Sequence, residues 1–222
     1  ISCAVLGATG VVGQNFLRLL VDHPYFELKA ICASDARKGM KLGEVKQVVD
    51  GGIPPVFAEM VFDTLDTENL IRKDVQVAFS ALPADTASDI EKEAAQKGIK
   101  VFSNASSYRM APLVPILIPE INYQQLDIVK LQQQGIDGYI VTNANCTTTG
   151  LTMAILPLLD LPIKKLVMAS YQAVSGAGYP GLSFLDITNN VIPFISNEEP
   201  KLVEETKKIC GVFDGSDIVP TQ

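Results

Sequence analysis

Short apolar runs alternate with helical patterns through residues 1–140, and this order constrains the fold more than any other feature. Each apolar run is long enough for one strand of a sheet that is buried on both faces, and each helical stretch can cross over that sheet. The sequence therefore predicts an α/β fold with a Rossmann-type doubly wound parallel sheet. The predicted strands are Cys3 to Leu6, Leu28 to Ala33, Val75 to Ser80, Lys100 to Asn104 and Tyr139 to Thr142.

Helical patterns with recognisable ends lie between these strands. The predicted helices are Val12 to Asp22, Asp85 to Lys97, which ends before Gly98, and Ile121 to Gln134. Beyond residue 143 the character changes, because a helix ending near Pro157 is followed by a predicted strand, Lys164 to Gln172, and a Gly-rich loop. We predict a nucleotide-binding domain over residues 1–143 and part of a second α+β domain, for catalysis and dimerisation, over residues 144–222.

Composition excludes several classes of function. The net charge of −7 argues against a nucleic-acid surface, which needs clustered Lys and Arg. No run approaches the roughly 20 apolar residues that span a bilayer, and the chain starts with a strand rather than a signal segment, so we expect a cytoplasmic protein without membrane contact. Four cysteines without a CxxC pair, and one His, predict no metal site. Small-molecule partners are expected.

A glycine turn, Gly7-Ala8-Thr9-Gly10-Val11-Val12-Gly13, follows the first predicted strand and opens the first helix. In that position glycines let backbone N–H groups approach a pyrophosphate at the positive end of the helix. The spacing is GxxGxxG rather than GxGxxG, so its place in the fold, more than its spacing, predicts a dinucleotide site.

The end of the second strand bears on which dinucleotide binds. A carboxylate there binds the ribose 2′-hydroxyl of NAD, whereas cations bind the 2′-phosphate of NADP. Asp35 suits NAD, but Ser34, Arg37 and Lys38 offer a hydroxyl and two cations to a phosphate. We predict NADP, with NAD and a merely solvated loop as the alternatives.

Cys146 lies where the strand Tyr139 to Thr142 ends in a polar turn, Asn143-Ala144-Asn145, and a further helical pattern begins. At a helix N-terminus the free N–H groups and the helix dipole stabilise a thiolate over a thiol. Cys146 is therefore the candidate nucleophile. The other cysteines, Cys3, Cys32 and Cys210, are predicted to be buried apolar side chains.

Three further runs accompany the glycine turn and the Cys146 run, and the five together resemble the aspartate-semialdehyde dehydrogenases, most closely the archaeal and fungal branch. The likeness extends from the first strand to about Cys210. The three runs are Ser103-Asn104-Ala105-Ser106-Ser107-Tyr108-Arg109-Met110, Tyr171-Gln172-Ala173-Val174-Ser175-Gly176-Ala177-Gly178-Tyr179-Pro180-Gly181, and Glu204-Glu205-Thr206-Lys207-Lys208.

The resemblance implies NADPH-dependent reduction of L-aspartyl-4-phosphate to L-aspartate 4-semialdehyde with release of phosphate, a step towards lysine, methionine, threonine and isoleucine. It also implies a homodimer or homotetramer. Cys146 would form a thioester, Asn145 and the Cys146 N–H would stabilise the oxyanion, and Gln172 would orient the acyl group.

The resemblance implies two further sets of residues. Within the substrate set, Arg109 and Lys208 would bind phosphate and Glu205 would bind the amino group. The substrate set is Arg109, Asn104, Ser175, Gly176, Glu205 and Lys208. The cofactor set is Gly7, Thr9, Gly10, Val11, Val12, Gly13, Ser34, Arg37, Lys38, Ser80, Ala81 and Gly178.

One departure from the family pattern concerns the end of the chain. Family members carry a general acid/base His, preceded by an Arg for the substrate's α-carboxylate, well beyond the Glu204 run, and this chain reaches Gln222 without either. We therefore expect a truncated chain that turns over poorly alone, since general acid/base catalysis contributes about 10² to 10⁴ in rate.

Three alternative functions remain open at this point. A malonyl-type coenzyme-A-thioester reductase and N-acetylglutamyl-phosphate reductase share the Cys chemistry. A non-catalytic nucleotide-binding descendant is the alternative outside the enzymes, and the missing His is its support.

Overall fold

The protein is represented by a computed structural model that describes residues 1–133 and 135–221. Its centre is a parallel five-stranded sheet of order β2-β1-β3-β4-β5, which confirms the predicted α/β fold class. Every predicted strand of this sheet is present, with ends displaced by at most two residues. The strands are β1 (Ser2–Leu6), β2 (Glu27–Cys32), β3 (Val77–Ser80), β4 (Lys100–Ser103) and β5 (Tyr139–Thr142).

Helices cover the sheet and continue beyond it into the second part of the chain. A small antiparallel pair, β6 (Val212–Phe213) and β7 (Ile218–Val219), follows the last helix. Helices and strands after residue 143 confirm the predicted α+β character of that part, whereas the domain boundary stays a prediction. The helices are α1 (Val11–Leu19), α2 (Thr67–Arg72), α3 (Ala84–Gln96), α4 (Pro119–Asn122), α5 (Val129–Gln132), α6 (Cys146–Ile155), α7 (Phe184–Ile187) and α8 (Glu198–Ile209).

The core lies on both faces of the parallel sheet. On one face Ala4 and Leu6 pack with Ala87 of α3, and on the other Val5 packs with Leu17 of α1. Neighbouring residues of one strand point to opposite faces, so a strand covered on both sides must be apolar throughout. This is why the strands appear in the sequence as continuous apolar runs.

Two predicted elements differ from the structure. The predicted strand Lys164 to Gln172 is wrong, because residues 162–173 form no strand and are exposed, and no described strand pairs with them. The predicted helix Ile121 to Gln134 is broken: a 3₁₀ segment, Tyr123–Ile128, separates α4 from α5, and Gln134 lies outside the described residues.

Side-chain hydrogen bonds account for the break in that helix. Asn122 Oδ1 accepts from the Ile118 N–H at 2.8 Å, and Asn122 Nδ2 donates to Gln125 Oε1 at 2.9 Å. Such bonds compete with the regular helical pattern. Gln125 Nε2 in turn lies 3.1 Å from the Lys208 and Ile209 carbonyl oxygens at the end of α8. The 3₁₀ segment therefore anchors the last helix to the sheet domain.

Candidate active site

The strand register brings most predicted site residues to one edge of the sheet. Leu6 lies opposite Cys32 and Ser80, Ser80 lies opposite Ser103, and Ser103 lies opposite Thr142. In a parallel sheet the crevice outside the carboxyl ends of the strands is where ligands bind, at the point where the strand order reverses. The residues that follow the five strands at this edge are Gly7, Ala33, Ala81, Asn104 and Asn143.

Two of the three glycines of the turn are required by the packing of the turn itself. Gly7 has a φ of +80°, and a Cβ there would lie 2.5 Å from the Ala81 carbonyl oxygen. A Cβ on Gly13 would lie 2.2 Å from the Gly7 carbonyl oxygen. These positions tolerate no side chain, with or without a ligand.

Gly10 has a different environment. A Cβ there would meet only the Gly7 carbonyl oxygen, at an ordinary 3.7 Å, so no described protein atom crowds the site. Gly10 is the N-cap of α1 and supplies no side chain to cover the first N–H groups of that helix. Open space beside uncovered N–H groups fits a pyrophosphate, which agrees with the predicted dinucleotide site.

Gln14 holds the glycine turn in place, and the sequence analysis missed it. Its side chain is fully buried, and Nε2 donates to the Thr9 carbonyl at 3.1 Å and to the Lys46 carbonyl at 2.8 Å. Its Oε1 accepts from the Val48 N–H at 2.9 Å. A polar residue within an amphipathic helix was the available signal, but its partners lie too far along the chain to be inferred.

The residues predicted to determine the cofactor preference lie directly after β2, as expected from the sequence. Ser34 precedes a 3₁₀ turn, Asp35–Arg37, directly beyond β2. Ser34, Asp35, Arg37 and Lys38 are all exposed. The hydroxyl, the carboxylate and both cations are thus accessible at the correct edge, and NADP specificity stays a prediction.

Cys146 is the first residue of α6, and it is exposed. The preceding Asn145 caps the helix, because its Oδ1 accepts from the Thr147 N–H at 2.8 Å and from the Thr148 N–H at 3.3 Å. Among the hydrogen bonds of the described residues, the Cys146 N–H donates to none. The thiol therefore stands beside its own uncovered N–H at the positive end of a helix, an arrangement that suits a nucleophile and an oxyanion.

Arg109 and Glu205 form an ion pair with each other, so Glu205 does not face a ligand. Glu205 is 2% exposed; its Oε1 accepts from Arg109 Nη1 at 3.0 Å and its Oε2 accepts from the Asn145 N–H at 2.7 Å. Arg109 Nη2 donates to the Asn104 carbonyl at 3.0 Å. Glu205 therefore acts here as an internal anchor, which differs from the expected contact with a substrate amino group.

Lys208 is also buried rather than presented to a substrate. It is 7% exposed, and its Nζ donates to the Arg109 carbonyl at 2.7 Å and to the Ala111 carbonyl at 3.1 Å. Burial lowers the pKa of Lys208 to about 8, against an opposing effect of the Asp217 charge. Lys208 thus stabilises the loop that carries Arg109, and phosphate binding by Lys208 stays a prediction.

The sequence analysis also missed Glu198, the first residue of α8. Its carboxylate accepts from Asn145 Nδ2 at 3.3 Å, from Thr147 Oγ1 at 2.7 Å and from Gln172 Nε2 at 2.8 Å. Partial burial acts to raise the pKa of Glu198, but the hydrogen bonds, with the charge of Lys201, lower it overall. The sequence shows the acidic residue, but it predicted neither the helix that begins there nor the partners of the carboxylate.

The Gly-rich loop lies beside this cluster and contacts the nucleotide domain. Ser175 and Gly176 belong to an exposed 3₁₀ turn, Val174–Ala177, and Gly178 follows with a φ of +73°. The Lys46 ammonium lies 4.3 Å from the centre of the Tyr179 ring and donates to the Tyr179 hydroxyl. This contact joins the loop to the segment that Gln14 holds.

The described residues contain no cluster of three or more side chains able to hold a metal ion. The same part of the chain has no helix with both the length and the apolar character needed to cross a bilayer.

Two protein-family models match the chain. One is described as semialdehyde dehydrogenase, NAD binding domain, and matches residues 2–129. The other is semialdehyde dehydrogenase, dimerisation domain, and matches residues 155–219. The first covers the glycine turn and β1 to β4 of the sheet, and the second covers the Gly-rich loop and α8.

Named relatives agree with these matches. The chain is 46% identical to the aspartate-semialdehyde dehydrogenase of Archaeoglobus fulgidus, over 98% of this chain and 63% of that protein. It is 43% identical to the enzyme of Methanothermobacter thermautotrophicus, over 99% of this chain and 64% of that protein. The chain thus spans less than two thirds of the length of these relatives.

Solved structures have the same fold. An aspartate semialdehyde dehydrogenase with NADP from Candida albicans superposes with a TM-score of 0.90 at 36% identity, over 100% of this chain and 64% of that one. Aspartate semialdehyde dehydrogenase II from Vibrio cholerae, complexed with ASA, has a TM-score of 0.70 at 23% identity, over 94% of this chain and 66% of that one, and shows the likeness of fold alone.

Proposed function

The chain belongs to the semialdehyde dehydrogenase family, and from this premise we propose that it catalyses the NADPH-dependent reduction of L-aspartyl-4-phosphate to L-aspartate 4-semialdehyde and phosphate. The observation that carries the proposal is the exposed Cys146 thiol at the start of α6, at the carboxyl edge of a dinucleotide-binding sheet. The named relatives, which are aspartate-semialdehyde dehydrogenases, support this substrate over a coenzyme A thioester.

Cys146 attacks the acyl carbon of the substrate as a thiolate. The S–C bond forms, the C–O bond to phosphate breaks, and inorganic phosphate leaves with the electron pair of that bond. The Cys146 N–H stabilises the oxyanion that develops during the attack, with Asn145 holding the helix start in shape. Arg109, at the neighbouring strand end, is the cation assigned to the phosphate, although both of its Nη atoms have internal partners.

The chain's own residues fit NADP. Gly10 leaves space beside the first N–H groups of α1, and Arg37 and Lys38 are exposed beyond β2, where a 2′-phosphate lies in this fold. When bound, the reduced nicotinamide would supply a hydride to the acyl carbon of the Cys146 thioester; the C–S bond would then break, releasing the aldehyde and leaving Cys146 as the thiolate. The remaining proposed contacts come from Ala81, directly after β3, and from the loop Ser175 to Gly178. The predicted contact of Ser80 differs from the structure, because Ser80 is fully buried.

A homodimer or homotetramer is part of the proposal. Large apolar side chains are exposed along residues 161–195, with Leu185 and Val167 each 84% exposed. Exposed apolar surface of this extent indicates a partner, and the matched dimerisation domain makes a second copy of the chain the expected one. We place the protein in the cytoplasm, because its four cysteines are free thiols, as in a reducing compartment.

The experiment is an assay of the complete natural protein in the reverse direction. L-Aspartate 4-semialdehyde, phosphate and NADP are supplied, and NADPH is followed by its absorbance. Cys146→Ser should lower kcat by more than about 10³-fold, as expected for loss of a nucleophile. Cys210→Ser, at the other thiol that is not fully buried, is the matched control and should keep wild-type turnover.

Two results would contradict the proposal. Turnover with coenzyme A in place of phosphate would assign the acyl-thioester reductase instead. A wild-type protein that binds NADP but reduces none with either acceptor would assign the non-catalytic alternative.

A further inference from the structure

Glu198 contacts the two residues that flank the thiol in the chain and one residue from the exposed segment beyond α6. It accepts hydrogen bonds from Asn145 and Thr147, on either side of Cys146, and from Gln172. One carboxylate thus joins the start of α8 to the start of α6 and to the predicted acyl-orienting residue. No motif in the sequence analysis included it.

We propose that Glu198 is a positioning residue that sets the orientation of the amide side chains of Asn145 and Gln172 beside Cys146, an inference that rests on the proposed function. An ionised carboxylate only accepts hydrogen bonds, whereas a primary amide has a donating and an accepting end. Each amide must therefore turn its NH₂ group towards Glu198 and its oxygen away.

For Asn145 this orientation produces the helix cap. With Nδ2 held by Glu198, Oδ1 points at the N–H groups of Thr147 and Thr148. Reversal of the amide would place an NH₂ group against these two N–H donors and abolish the cap. The cap keeps the Cys146 N–H at the correct place in the first turn of α6.

For Gln172 the same constraint decides which atom the residue offers to a ligand. Its Nε2 donates to Thr147 Oγ1 at 2.6 Å and to Glu198 Oε1 at 2.8 Å, so the NH₂ end of the amide faces these two atoms. The other polar atom of the side chain is Oε1, which faces Gly176: a Cβ added to Gly176 would lie 3.8 Å from it. Gln172 therefore presents a hydrogen-bond acceptor, which suits an ammonium or carboxamide donor and not the oxyanion.

Glu199 provides a matched control for the ordinary role of an acidic residue at a helix start. Both Glu198 and Glu199 lie in the first turn of α8, where a negative charge stabilises the helix dipole. Glu199 is exposed, and its carboxylate makes none of the side-chain hydrogen bonds found among the described residues. If substitution of either residue has the same effect, the role is electrostatic. If only substitution of Glu198 has an effect, the role depends on the hydrogen bonds that Glu198 accepts.

The test compares kcat and KM in Glu198→Ala, Glu198→Gln and Glu199→Ala variants of the complete natural protein. Misplacement of groups around a reacting centre by about 1 Å costs about 100-fold, so kcat of Glu198→Ala should fall by about that factor. The KM for NADP should stay within about twofold, because the glycine turn that binds the cofactor is a separate segment. Glu198→Gln keeps an acceptor oxygen for Thr147 and Gln172 but turns an NH₂ group towards Asn145 Nδ2, so its kcat should lie between those of Glu198→Ala and the wild type. Glu199→Ala should match the wild type.

A second readout does not depend on the substrate. Amide hydrogen exchange of the Thr147 and Thr148 N–H groups should be faster in Glu198→Ala than in the wild type, because the Asn145 amide loses the partner that holds its Oδ1 at these two groups. Glu199→Ala, whose carboxylate makes none of the side-chain hydrogen bonds of this cluster, should exchange at the wild-type rate.

The outcomes separate this inference from the proposed function. Wild-type inactivity with semialdehyde, phosphate and NADP would refute the proposed function, and the exchange rates would still test the place of Glu198. Unchanged kcat in Glu198→Ala, an equal loss in Glu199→Ala, or equal exchange rates in Glu198→Ala and the wild type would overturn the positioning role. If Glu198→Ala does not fold, Glu198→Asp withdraws the carboxylate from its three donors, and full kcat in that variant would overturn it.

Discussion

Arg109 Nη1 lies 3.0 Å from Glu205 Oε1, and this ion pair joins the loop after β4 to α8 with side chains only 11% and 2% exposed. Glu205 Oε2 also accepts from the Asn145 N–H, next to the thiol. The pair therefore determines where the Cys146 turn lies relative to the end of β4. Two motifs that are far apart in the sequence meet in one contact.

Removing one partner of this buried pair should destabilise the protein strongly. Glu205→Ala leaves the Arg109 charge buried without its carboxylate, and we expect a loss of about 3–5 kcal/mol in the free energy of unfolding. Asp127→Ala, which breaks an exposed ion pair with Lys130, should change it little. Urea unfolding of both variants measures the difference, and equal losses would show that burial of the pair is unimportant.

Substitutions at two glycines of the turn should have different effects, one on stability and the other on cofactor binding. Gly13→Ala should lower stability by about 1–3 kcal/mol, because its Cβ overlaps the Gly7 carbonyl oxygen. Gly10→Ala should leave the unfolding midpoint near the wild-type value and weaken NADP at least about 10-fold, because its Cβ fills the space assigned to the pyrophosphate. Thermal melts and NADP titration test both variants, and wild-type NADP affinity in Gly10→Ala would exclude this turn as the phosphate site.

The cations beyond β2 should determine the cofactor preference. Loss of a hydrogen bond to a charged phosphate costs about 1.5–3 kcal/mol. Arg37→Ala and Lys38→Ala should therefore each raise the KM for NADP by about 10-fold or more and leave the KM for NAD unchanged. Lys92→Ala, an exposed cation on α3, is the control. A similar change for NAD and NADP would mean that neither cation binds the 2′-phosphate.

Glu91 should make the stability of the protein depend on pH. It is fully buried between α3 and the sheet; burial raises the pKa of its carboxyl, and the hydrogen bond that Ser103 Oγ donates to Glu91 Oε1 at 2.7 Å only partly opposes this. The folded state therefore retains a proton that the unfolded chain releases near pH 4.3, and stability falls as the pH rises from there to the raised pKa.

Glu91→Gln isolates this effect because the amide has nearly the same shape and does not ionise. The free energy of unfolding of Glu91→Gln relative to the wild type should increase with pH through that window and then level off. Denaturant unfolding at a series of pH values measures it. A difference that does not vary with pH would show that Glu91 ionises equally well in both states.

Local sequence patterns predicted the sheet and the position of the nucleophile. Continuous apolar runs and glycine positions depend only on neighbouring residues. The strands that precede Gly7 and Asn104 were therefore predicted to within two residues of their ends. Cys146 was predicted at a helix N-terminus for the same reason. The strand predicted for Lys164 to Gln172 was wrong, because a strand also needs a partner, and an apolar run does not specify one.

Periodicity and backbone geometry are local properties of the chain, and they were enough to predict the α/β order, the glycine turn and the thiol at the start of α6. The packing of distant segments was needed to show that Glu205 pairs with Arg109, that Lys208 is buried under the Arg109 loop, and that Glu198 contacts Gln172. These contacts depend on the face of α8 that packs against α6 and on the loop after β4. Side chains of one sequence motif can face a ligand or the protein interior, and long-range packing makes that choice.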